Sequence, residues 1–433
     1  MNKIKIIGSG LAGPLLAILL AQKGFKIDLF EKRDDFRKSK NSAGRSINLA
    51  LSHRGIKALK KAKLFDMVES HLIPMKGRLI HDLNGQLNFQ PYSINSKDCI
   101  FSVSRSELNK ILITSAEKVK NIRINFNHTL KSMNDNFLYF QDNKTIENEG
   151  IIIAADGVNS KVRNYIDQKN DISSKLEPLN HSYKELTIKS NKNNQYLIDS
   201  KSLHIWPRGQ FMIIALPNTD KSFTCTLFMP NNGENSFESL NTNEKVIFFF
   251  NEYFPDLVPI LDNFPNSFSN NPTSKLGTIY SKKWNYKNTL IIGDAAHAIV
   301  PFFGQGMNAS FEDCDILIDY LNSNNNDFLK TFSNFNNDRI ADANAIARMA
   351  LENYVEMRDS VSKNIFIKKK KIENLLYKHF PKKFIPRYNM VSFSSIPYNK
   401  VYNKSKIQDK IVDILINEEF EYEAAKKIVN KYL

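Results

Sequence analysis

The sequence has little of what marks a membrane-spanning, disulfide-bonded or metal-binding protein. Nowhere in its 433 residues does an apolar run approach the roughly 18 to 20 residues needed to span a bilayer. Its three cysteines are an odd number without Cys-x-x-Cys spacing, so neither a disulfide framework nor a zinc site is indicated. The eight histidines are scattered and form no His-Glu-x-x-His motif. We therefore expect a cytoplasmic protein without a membrane anchor or a bound metal.

Motifs for nucleic-acid binding are also missing, although the chain is basic. The formal net charge is +15, which by itself invites a nucleic-acid partner. The excess comes mostly from lysines spread along the chain, and the densest run, Lys368 to Lys371, lies in a helical pattern. No zinc-finger, RNA-recognition or helix-turn-helix signature accompanies it. We expect no nucleic acid among the partners and keep a basic nucleic-acid-binding protein as the rival class.

Glycine is scarce, and its placement is informative for that reason. Only 16 glycines occur, and seven of them fall in three short blocks, whereas turns elsewhere use mostly Asn and Ser. A chain that otherwise avoids glycine keeps it where the backbone turns tightly or approaches a ligand. The three blocks are therefore candidates for a binding site.

The first block runs from Gly8 to Gly13 in the pattern Gly-x-Gly-x-x-Gly, between a β-branched run and an apolar helical pattern. A second strand ends at Glu31, 18 positions after Gly13, close to the roughly 20 expected of a dinucleotide-binding βαβ unit. Gly8 permits the tight turn, Gly10 lets the backbone approach a pyrophosphate, and Gly13 lets helix and strand pack closely. The helix N-terminus faces the phosphates, and Glu31 accepts hydrogen bonds from ribose. Interrupting glycines and a missing cleavage site argue against a signal peptide.

Beyond the first block, the sequence pattern predicts both parallel and antiparallel strands, followed by helices. A helix is predicted from Gly55 to about Ser70, and a hairpin turning at Asn84-Gly85 follows. Alternation from about residue 182 to residue 230 indicates an antiparallel sheet with one solvent-facing side. Buried strands of the parallel type return near residues 150 and 290, and the remainder is mostly helical.

The second and third glycine blocks, taken with the first, are a more specific signal than any one block alone. The second is centred on Asp156-Gly157, and the third contains Gly293-Asp294 and continues to Asn308. With three such blocks in this order, the chain resembles the single-component flavoprotein aromatic hydroxylases. The resemblance implies that the first block holds the adenosine end of FAD, that the second serves FAD and the nicotinamide cofactor, and that Asp294 lies on the ribitol. The helix after the third block would stabilise the negative charge of reduced flavin.

Pattern and resemblance together predict an α/β fold of three parts. These are a Rossmann-like FAD-binding domain with a parallel sheet, a substrate domain with an antiparallel sheet, and a helical C-terminal region. The predicted boundaries are 1–75, 97–180 and 277–345 for the discontinuous FAD-binding domain, 76–96 and 181–276 for the substrate domain, and 346–433 for the helical region.

Longer stretches narrow the resemblance to the kynurenine 3-monooxygenase family. They are Gly44–Gly55, Phe101–Arg105, Phe126–His128, Pro301–Ala309, Phe311–Cys314, Glu352–Arg358 and Phe384–Val391. In that family an arginine, two tyrosines and an asparagine hold the amino-acid end of kynurenine, and the matching positions here are Arg78, Tyr92, Asn353 and Tyr388. Arginine pairs a carboxylate through two hydrogen bonds, and tyrosine hydroxyls add donors beside an aromatic wall. Membrane-anchored relatives carry a hydrophobic tail, whereas residues 418–423 here are mostly acidic.

The resemblance also implies which residues contact FAD. The implied set is Gly8, Gly10, Leu11, Ala12, Gly13, Glu31, Lys32, Arg33, Ala50, Arg105, Leu130, Asp156, Gly157, Asp294, Gly306, Met307 and Asn308. Arg45 is a further candidate for a cofactor phosphate, and Phe303, Met357 and Met390 would line an apolar substrate pocket. His297, beside the Gly-Asp pair, is expected to have a structural role, so no catalytic residue is assigned.

The implied reaction converts L-kynurenine to 3-hydroxy-L-kynurenine with NADPH or NADH and O2, in tryptophan degradation or in NAD biosynthesis. The flavin supplies an electrophilic oxygen, so the protein has to hold flavin and substrate ring in contact and to exclude water. The alternative is a flavin hydroxylase or reductase of the same fold that acts on another substrate. We expect a monomer or a homodimer.

Overall fold

The computed structural model describes residues 3–38, 48–141, 143–361, 363–416 and 420–433. The chain divides into two units. Unit 1 consists of Met1–His71, Val103–Pro178 and Gly277–Ala347, and unit 2 consists of Leu72–Ser102, Leu179–Leu276 and Arg348–Leu433. Arg45, Glu418 and Glu419, which the sequence analysis singled out, lie outside the described residues.

Strands are numbered in chain order. They are β1 Lys3–Ile7, β2 Lys26–Phe30, β3 Asn48–Leu51, β4 Ile73–Met75, β5 Gly77–His81, β6 Leu87–Pro91, β7 Ile100–Ser104, β8 Ile122–Asn125, β9 Leu130–Met133, β10 Phe137–Phe140, β11 Thr145–Glu147, β12 Ile151–Ala154, β13 Lys175–Ile188, β14 Ser202–Arg208, β15 Phe211–Pro217, β16 Phe223–Pro230, β17 Ser274–Tyr280, β18 Asn285–Tyr286 and β19 Thr289–Ile291.

Helices are numbered in the same way. They are α1 Ala12–Gln22, α2 His53–Lys61, α3 Phe65–Glu69, α4 Arg105–Glu117, α5 Lys161–Lys169, α6 Asn243–Tyr253, α7 Asn266–Asn270, α8 Asp294–His297, α9 Gly306–Ser323, α10 Phe328–Val355, α11 Asn364–His379, α12 Arg387–Phe393, α13 Tyr398–Leu415 and α14 Tyr422–Tyr432. A π-helical turn, Glu356–Ser360, follows α10 directly.

Unit 1 is built on a six-stranded sheet in the order β18-β19-β12-β1-β2-β8. The pairs β19–β12, β12–β1, β1–β2 and β2–β8 are parallel. Strands β1, β12 and β19 are buried on both faces, and β12 is buried at all four positions, as expected for parallel strands covered by helices. The apolar helix α1 is buried from Ala12 to Ala21. The predicted parallel, Rossmann-like sheet is therefore confirmed.

Unit 2 contains the antiparallel sheet, in which β13, β16, β15, β14, β5 and β6 are successive neighbours. All of these pairs are antiparallel except β14–β5. One face packs on α6 in an apolar core that includes Trp206, Phe250 and Phe254. The predicted hairpin is confirmed as β5 and β6, with Gly85 at a φ of +76° in its turn. Helices α11 to α14 follow in the same unit and confirm the helical C-terminal region.

The single helix predicted from Gly55 to about Ser70 is wrong. The structure has two helices, α2 and α3, and the first of them already begins at His53. Lys63, two residues after the end of α2, has a φ of +59°, and the N–H of Leu64 donates to the carbonyl of Leu59 at 2.9 Å. This is the hydrogen-bond pattern of a glycine-terminated helix made here by a lysine, so no glycine marks the break in the sequence.

Within the described residues, no helix combines the length and apolar character needed to cross a bilayer. In the same part of the chain, no group of three or more His, Cys, Asp or Glu side chains is arranged to hold a metal ion.

A buried histidine pair joins β5 and β14 in unit 2. His204 Nε2 lies 2.6 Å from the carbonyl oxygen of Asp199, which can only accept, so this nitrogen carries the proton. Its Nδ1 lies 2.8 Å from His81 Nε2, and His81 Nδ1 lies 3.2 Å from the carboxylate of Asp256. Burial lowers the pKa of His204 from 6.5 to about 4, so this ring stays neutral at mildly acidic pH.

We expect unit 2 to lose stability as the pH falls from 6.5 towards 4. Over this window the unfolded chain binds a proton at His204 that the folded chain does not, so the free energy of unfolding decreases with falling pH. The contribution amounts to about 3 kcal/mol. Denaturant unfolding of the protein and of a His204→Gln variant at several pH values measures it. Equal pH slopes in the two proteins would contradict the prediction.

Candidate functional site

The three glycine blocks lie side by side at one edge of the unit 1 sheet. Because β1, β2, β12 and β19 are parallel, their carboxyl ends all meet there. The blocks continue the sheet by one hydrogen bond each. The N–H groups of Gly8, Ala155 and Ile292 donate to the last carbonyl of β2, β1 and β12 at 2.7, 2.8 and 2.9 Å. Blocks more than 100 residues apart in the sequence thus form one continuous rim.

The first turn is as tight as its glycines predict. A Cβ on Gly13 would lie 1.9 Å from the carbonyl oxygen of Gly8, and Gly8 itself has a φ of +102°. A Cβ on Gly10, in contrast, would meet nothing within 4 Å. Asn109 of α4 supports the turn from behind, because its amide donates to the carbonyls of Ser9 and Gly10 at 3.2 and 3.1 Å. The turn therefore presents open space at Gly10, where a pyrophosphate would approach.

Glu31 is buried at the end of β2 and links that strand to the turn. Its Oε2 accepts from the N–H of Ser9 at 2.8 Å, and its Oε1 accepts from the backbone and Nε of Arg33 at 3.0 and 2.9 Å. Lys32 and Arg33 are exposed beside it. A carboxylate has about four acceptor positions, so Glu31 keeps capacity for a ribose hydroxyl.

The second block leaves a buried acceptor without a partner. Asp156 Oδ2 accepts from the N–H of Lys161 at 3.0 Å, whereas Oδ1 is buried and has no hydrogen-bond partner among the described residues. Burial raises the pKa of Asp156. The guanidinium of Arg163 donates to the carbonyls of Val158 and Ala295 at 2.6 and 2.9 Å and so ties this block to the third. An unsatisfied acceptor on this rim fits a hydroxyl of a sugar-like ligand.

The third block is held from the interior and directs Asp294 outward. Gly293 has a φ of +58°, and its N–H donates to Asp313 Oδ2 at 2.9 Å. Asp294 is exposed. The side chain of Asn308 is fully buried and hydrogen-bonded within the protein: its Oδ1 accepts from Ser52 N at 2.9 Å, and its Nδ2 donates to two carbonyls at 2.8 Å. The first N–H groups of α9 lack partners within the helix and remain to bind an anion.

The other sequence-predicted cofactor residues belong to unit 1 as well. Ala50 lies next to the third block, because a Cβ added to Gly304 would lie 3.0 Å from the Cβ of Ala50. Arg105 is exposed at the start of α4. Leu130 and Met307 are buried, with exposures of 6% and 8%, so their side chains belong largely to the core.

The four sequence-predicted substrate residues come together in unit 2. Arg78 on β5 donates to Asn353 Oδ1 at 3.4 Å, and its guanidinium carbon lies 5.3 Å from the ring centre of Tyr388. The Tyr388 and Tyr92 rings stack at 4.7 Å with an 8° angle between planes. Tyr92 Oη is buried without a hydrogen-bond partner of normal geometry among the described residues. Residues separated by up to 310 positions therefore line one small site.

Glu356 is a fifth member of this group that the sequence analysis missed. Its Oε1 accepts from Arg78 Nη1 at 3.0 Å. Burial opposes ionisation of Glu356, but Lys370 and Arg78 outweigh it and lower its pKa. Burial likewise opposes the charge on Arg78, whereas Glu356 and the two tyrosines raise its pKa. Spacing offered a signal, because Asn353 and Glu356 are three apart on a helical face.

Comparison with known proteins defines the class first. Residues 1–334 match the family model described as FAD binding domain. The match covers well over half of the chain, so the protein is a member of this FAD-binding family, and FAD is its cofactor.

Full-length relatives then define the family within that class. The kynurenine 3-monooxygenase of Dictyostelium discoideum is 43% identical over 457 residues, which covers 100% of this chain and 99% of that protein. That of Cytophaga hutchinsonii is 43% identical over 421 residues, with 95% and 93% covered. That of Anopheles gambiae is 40% identical over 418 residues, with 94% and 85% covered. The chain belongs to the kynurenine 3-monooxygenase family of flavin monooxygenases.

Solved structures support the fold. A tetrameric 2-methyl-3-hydroxypyridine-5-carboxylic acid oxygenase has a TM-score of 0.69 at 18% identity, with 85% of this chain and 95% of that chain covered. The tetracycline destructase Tet(55) has a TM-score of 0.65 at 18% identity, with 92% and 98% covered.

Substitutions of two glycines in the first turn should have different effects, one on folding and the other on FAD binding. We expect Gly13→Ala to destabilise unit 1 by about 3 kcal/mol or more, because its Cβ would overlap the carbonyl of Gly8. Gly10→Ala should change the unfolding midpoint little and weaken FAD binding about tenfold or more, because its methyl fills the open space. Thermal unfolding and FAD titration of the apoproteins measure both effects. A Gly10→Ala protein that binds FAD normally would contradict this prediction.

Proposed function

We propose that this protein hydroxylates L-kynurenine to 3-hydroxy-L-kynurenine, with FAD, O2 and NADPH. The observation that carries the proposal is the unit 2 site, in which a buried arginine, a carboxylate, an amide and two stacked tyrosines converge. Membership of the kynurenine 3-monooxygenase family supports the same substrate.

The rim of unit 1 fits FAD in three respects. It has open space at Gly10, a buried acceptor without a partner on Asp156, and an exposed carboxylate at Asp294. We assign these residues, with Glu31 and the N-terminus of α9, to the phosphates and hydroxyls of the cofactor. Bound and reduced FAD supplies the chemistry that activates O2. The protein's part is to fix the cofactor and keep water from it.

The unit 2 site fits the amino-acid end of kynurenine, which carries one carboxylate and one ammonium. We assign the carboxylate to Arg78 and to the hydroxyl of Tyr92, which has a donor to offer. We assign the ammonium to Glu356 and Asn353. Their side-chain oxygens accept hydrogen bonds from Nη1 and Nη2 of Arg78, respectively. Met357 and Met390 are buried in the same unit and serve as the apolar lining.

NADPH is the proposed reductant and NADH is its alternative. A cytoplasmic location, a monomeric or homodimeric state and a place in tryptophan degradation or NAD biosynthesis belong to the same proposal. A hydroxylase or reductase that acts on another substrate is the rival, since it would keep the FAD rim without needing the Arg78 site.

Purified protein loaded with FAD should oxidise NADPH faster when L-kynurenine is added. We expect 3-hydroxy-L-kynurenine to form in proportion to the NADPH consumed, because the bound ring takes the oxygen before it is lost as peroxide. Absorbance at the NADPH band and chromatography of the product measure the two quantities. Oxidation that is indifferent to kynurenine, or that yields peroxide alone, would favour the rival.

Replacing Arg78 should damage substrate binding and leave the cofactor in place. We expect Arg78→Met to raise the KM for kynurenine about 100-fold, since a charge-assisted pair contributes about 2 to 3 kcal/mol. Tyr388→Phe should have a smaller effect, of about tenfold. FAD content should not change, because these residues belong to unit 2.

The matched control is Arg123→Met, which removes an exposed arginine from β8 in unit 1. Its KM should equal that of the unmodified protein. If Arg78→Met also keeps the original KM, the assignment of the substrate site to Arg78 and its neighbours is wrong.

A further inference from the structure

A fully buried carboxylate, Asp313, lies behind the third block of unit 1. It accepts four hydrogen bonds: from the N–H of Gly293 at 2.9 Å, from His297 Nε2 at 2.5 Å, and from Nε and Nη2 of Arg339 at 3.1 and 2.9 Å. Its exposure is 0%. The contact to Gly293 is to the backbone of the turn that presents Asp294.

The partners of Asp313 are themselves held in place. Arg339, which is 2% exposed, also pairs with Glu312 and Asp342 at 3.1 Å each, and Glu312 pairs with the buried Arg54. Burial alone would raise the pKa of Asp313, but His297 and Arg339 lower it below its ordinary value. Asp313 is therefore a carboxylate within a network that spans α2, α9 and α10.

We propose that Asp313 is the positioning residue of the Asp294 turn and sets the affinity for FAD without touching it. The inference rests on the proposed assignment of that turn to the cofactor.

The physical reason is the conformation of Gly293. Its φ of +58° and ψ of −143° are readily adopted by glycine. Glycine also loses more conformational entropy than any other residue when its backbone is ordered. A hydrogen bond from its N–H to a fixed carboxylate selects one orientation of the turn before FAD arrives. Binding then avoids the free-energy cost of ordering the turn.

Asp313→Asn keeps the shape of the side chain but replaces one carboxylate oxygen with an NH2 donor. That NH2 group would face either the donors of Arg339 or the N–H of Gly293. We expect Asp313→Asn to raise the Kd of the apoprotein for FAD about tenfold or more. Flavin fluorescence during titration measures this Kd without any turnover.

Asp315 provides the matched control. It lies on the same helix, is 1% exposed and pairs with Lys57 and Lys61, but it belongs to the face of α9 that contacts α2. Asp315→Asn should lower the unfolding midpoint and leave the Kd for FAD unchanged. Equal weakening of FAD binding by both variants would mean general destabilisation and would overturn the inference.

Asp294→Asn separates this inference from the proposed function. If Asp294→Asn leaves the Kd for FAD unchanged, the turn is not part of the cofactor site and the assignment itself fails. If Asp294→Asn weakens binding and Asp313→Asn does not, the assignment stands and only the positioning role is refuted.

Asp313→Asn has a substitute if it does not fold. His297→Phe keeps a ring to stack on Trp284, where the centres are 5.1 Å apart, and removes one donor to Asp313. We expect a Kd for FAD raised about threefold to tenfold, together with altered visible circular dichroism of the bound flavin. An unchanged Kd and spectrum would overturn the inference.

Discussion

Unit 1 depends on one steric constraint, the contact between the first turn of α1 and the end of β1. With only hydrogen at Gly13, the helix comes so close that a Cβ would lie 1.9 Å from the carbonyl of Gly8. This closeness brings the N-terminus of α1 to the carboxyl edge of the sheet, where the parallel neighbours β2, β12 and β19 also end. The rim is thus a consequence of parallel pairing, and each block adds one chemical group to it.

Unit 2 is governed by a different constraint, the compensation of a buried positive charge. Arg78 is 7% exposed, and such a guanidinium is stable only when carboxylates, carbonyls or rings surround it. Glu356 supplies a negative charge next to the guanidinium, at 3.0 Å between Oε1 and Nη1. A ligand with a carboxylate alone would compete with Glu356 for Arg78, whereas an amino acid also carries an ammonium that Glu356 can pair with. The arrangement therefore fits the amino-acid substrate that we propose.

The sequence predicted what is local and missed what depends on distant partners. The glycine blocks and the β5–β6 hairpin depend on neighbouring residues and were predictable. The helix break after α2 was not, because Lys63 takes a positive φ that is usual for glycine and rare for lysine. Asp313 was missed because its partners lie elsewhere in the sequence. Glu356 was missed because its partner Arg78 is 278 positions away, although its spacing from Asn353 offered a signal. The domain boundaries and the assigned roles of the site residues stay predictions.

Some buried polar groups of this protein have a full set of hydrogen-bond partners, and others do not. The first kind holds the scaffold together, and the second kind is available to bind a ligand. Asp313 and Arg339 have partners on every side, as expected of groups that hold a scaffold. Among the described residues, Asp156 Oδ1 and Tyr92 Oη are buried without a hydrogen-bond partner of normal geometry. Such an atom is not sufficient evidence of a ligand, because both amide atoms of Gln408 in α13 also lack a partner within the described part of the chain. An unpaired atom points to a ligand only where the fold brings other binding groups to the same place, as it does on the rim and beside Arg78.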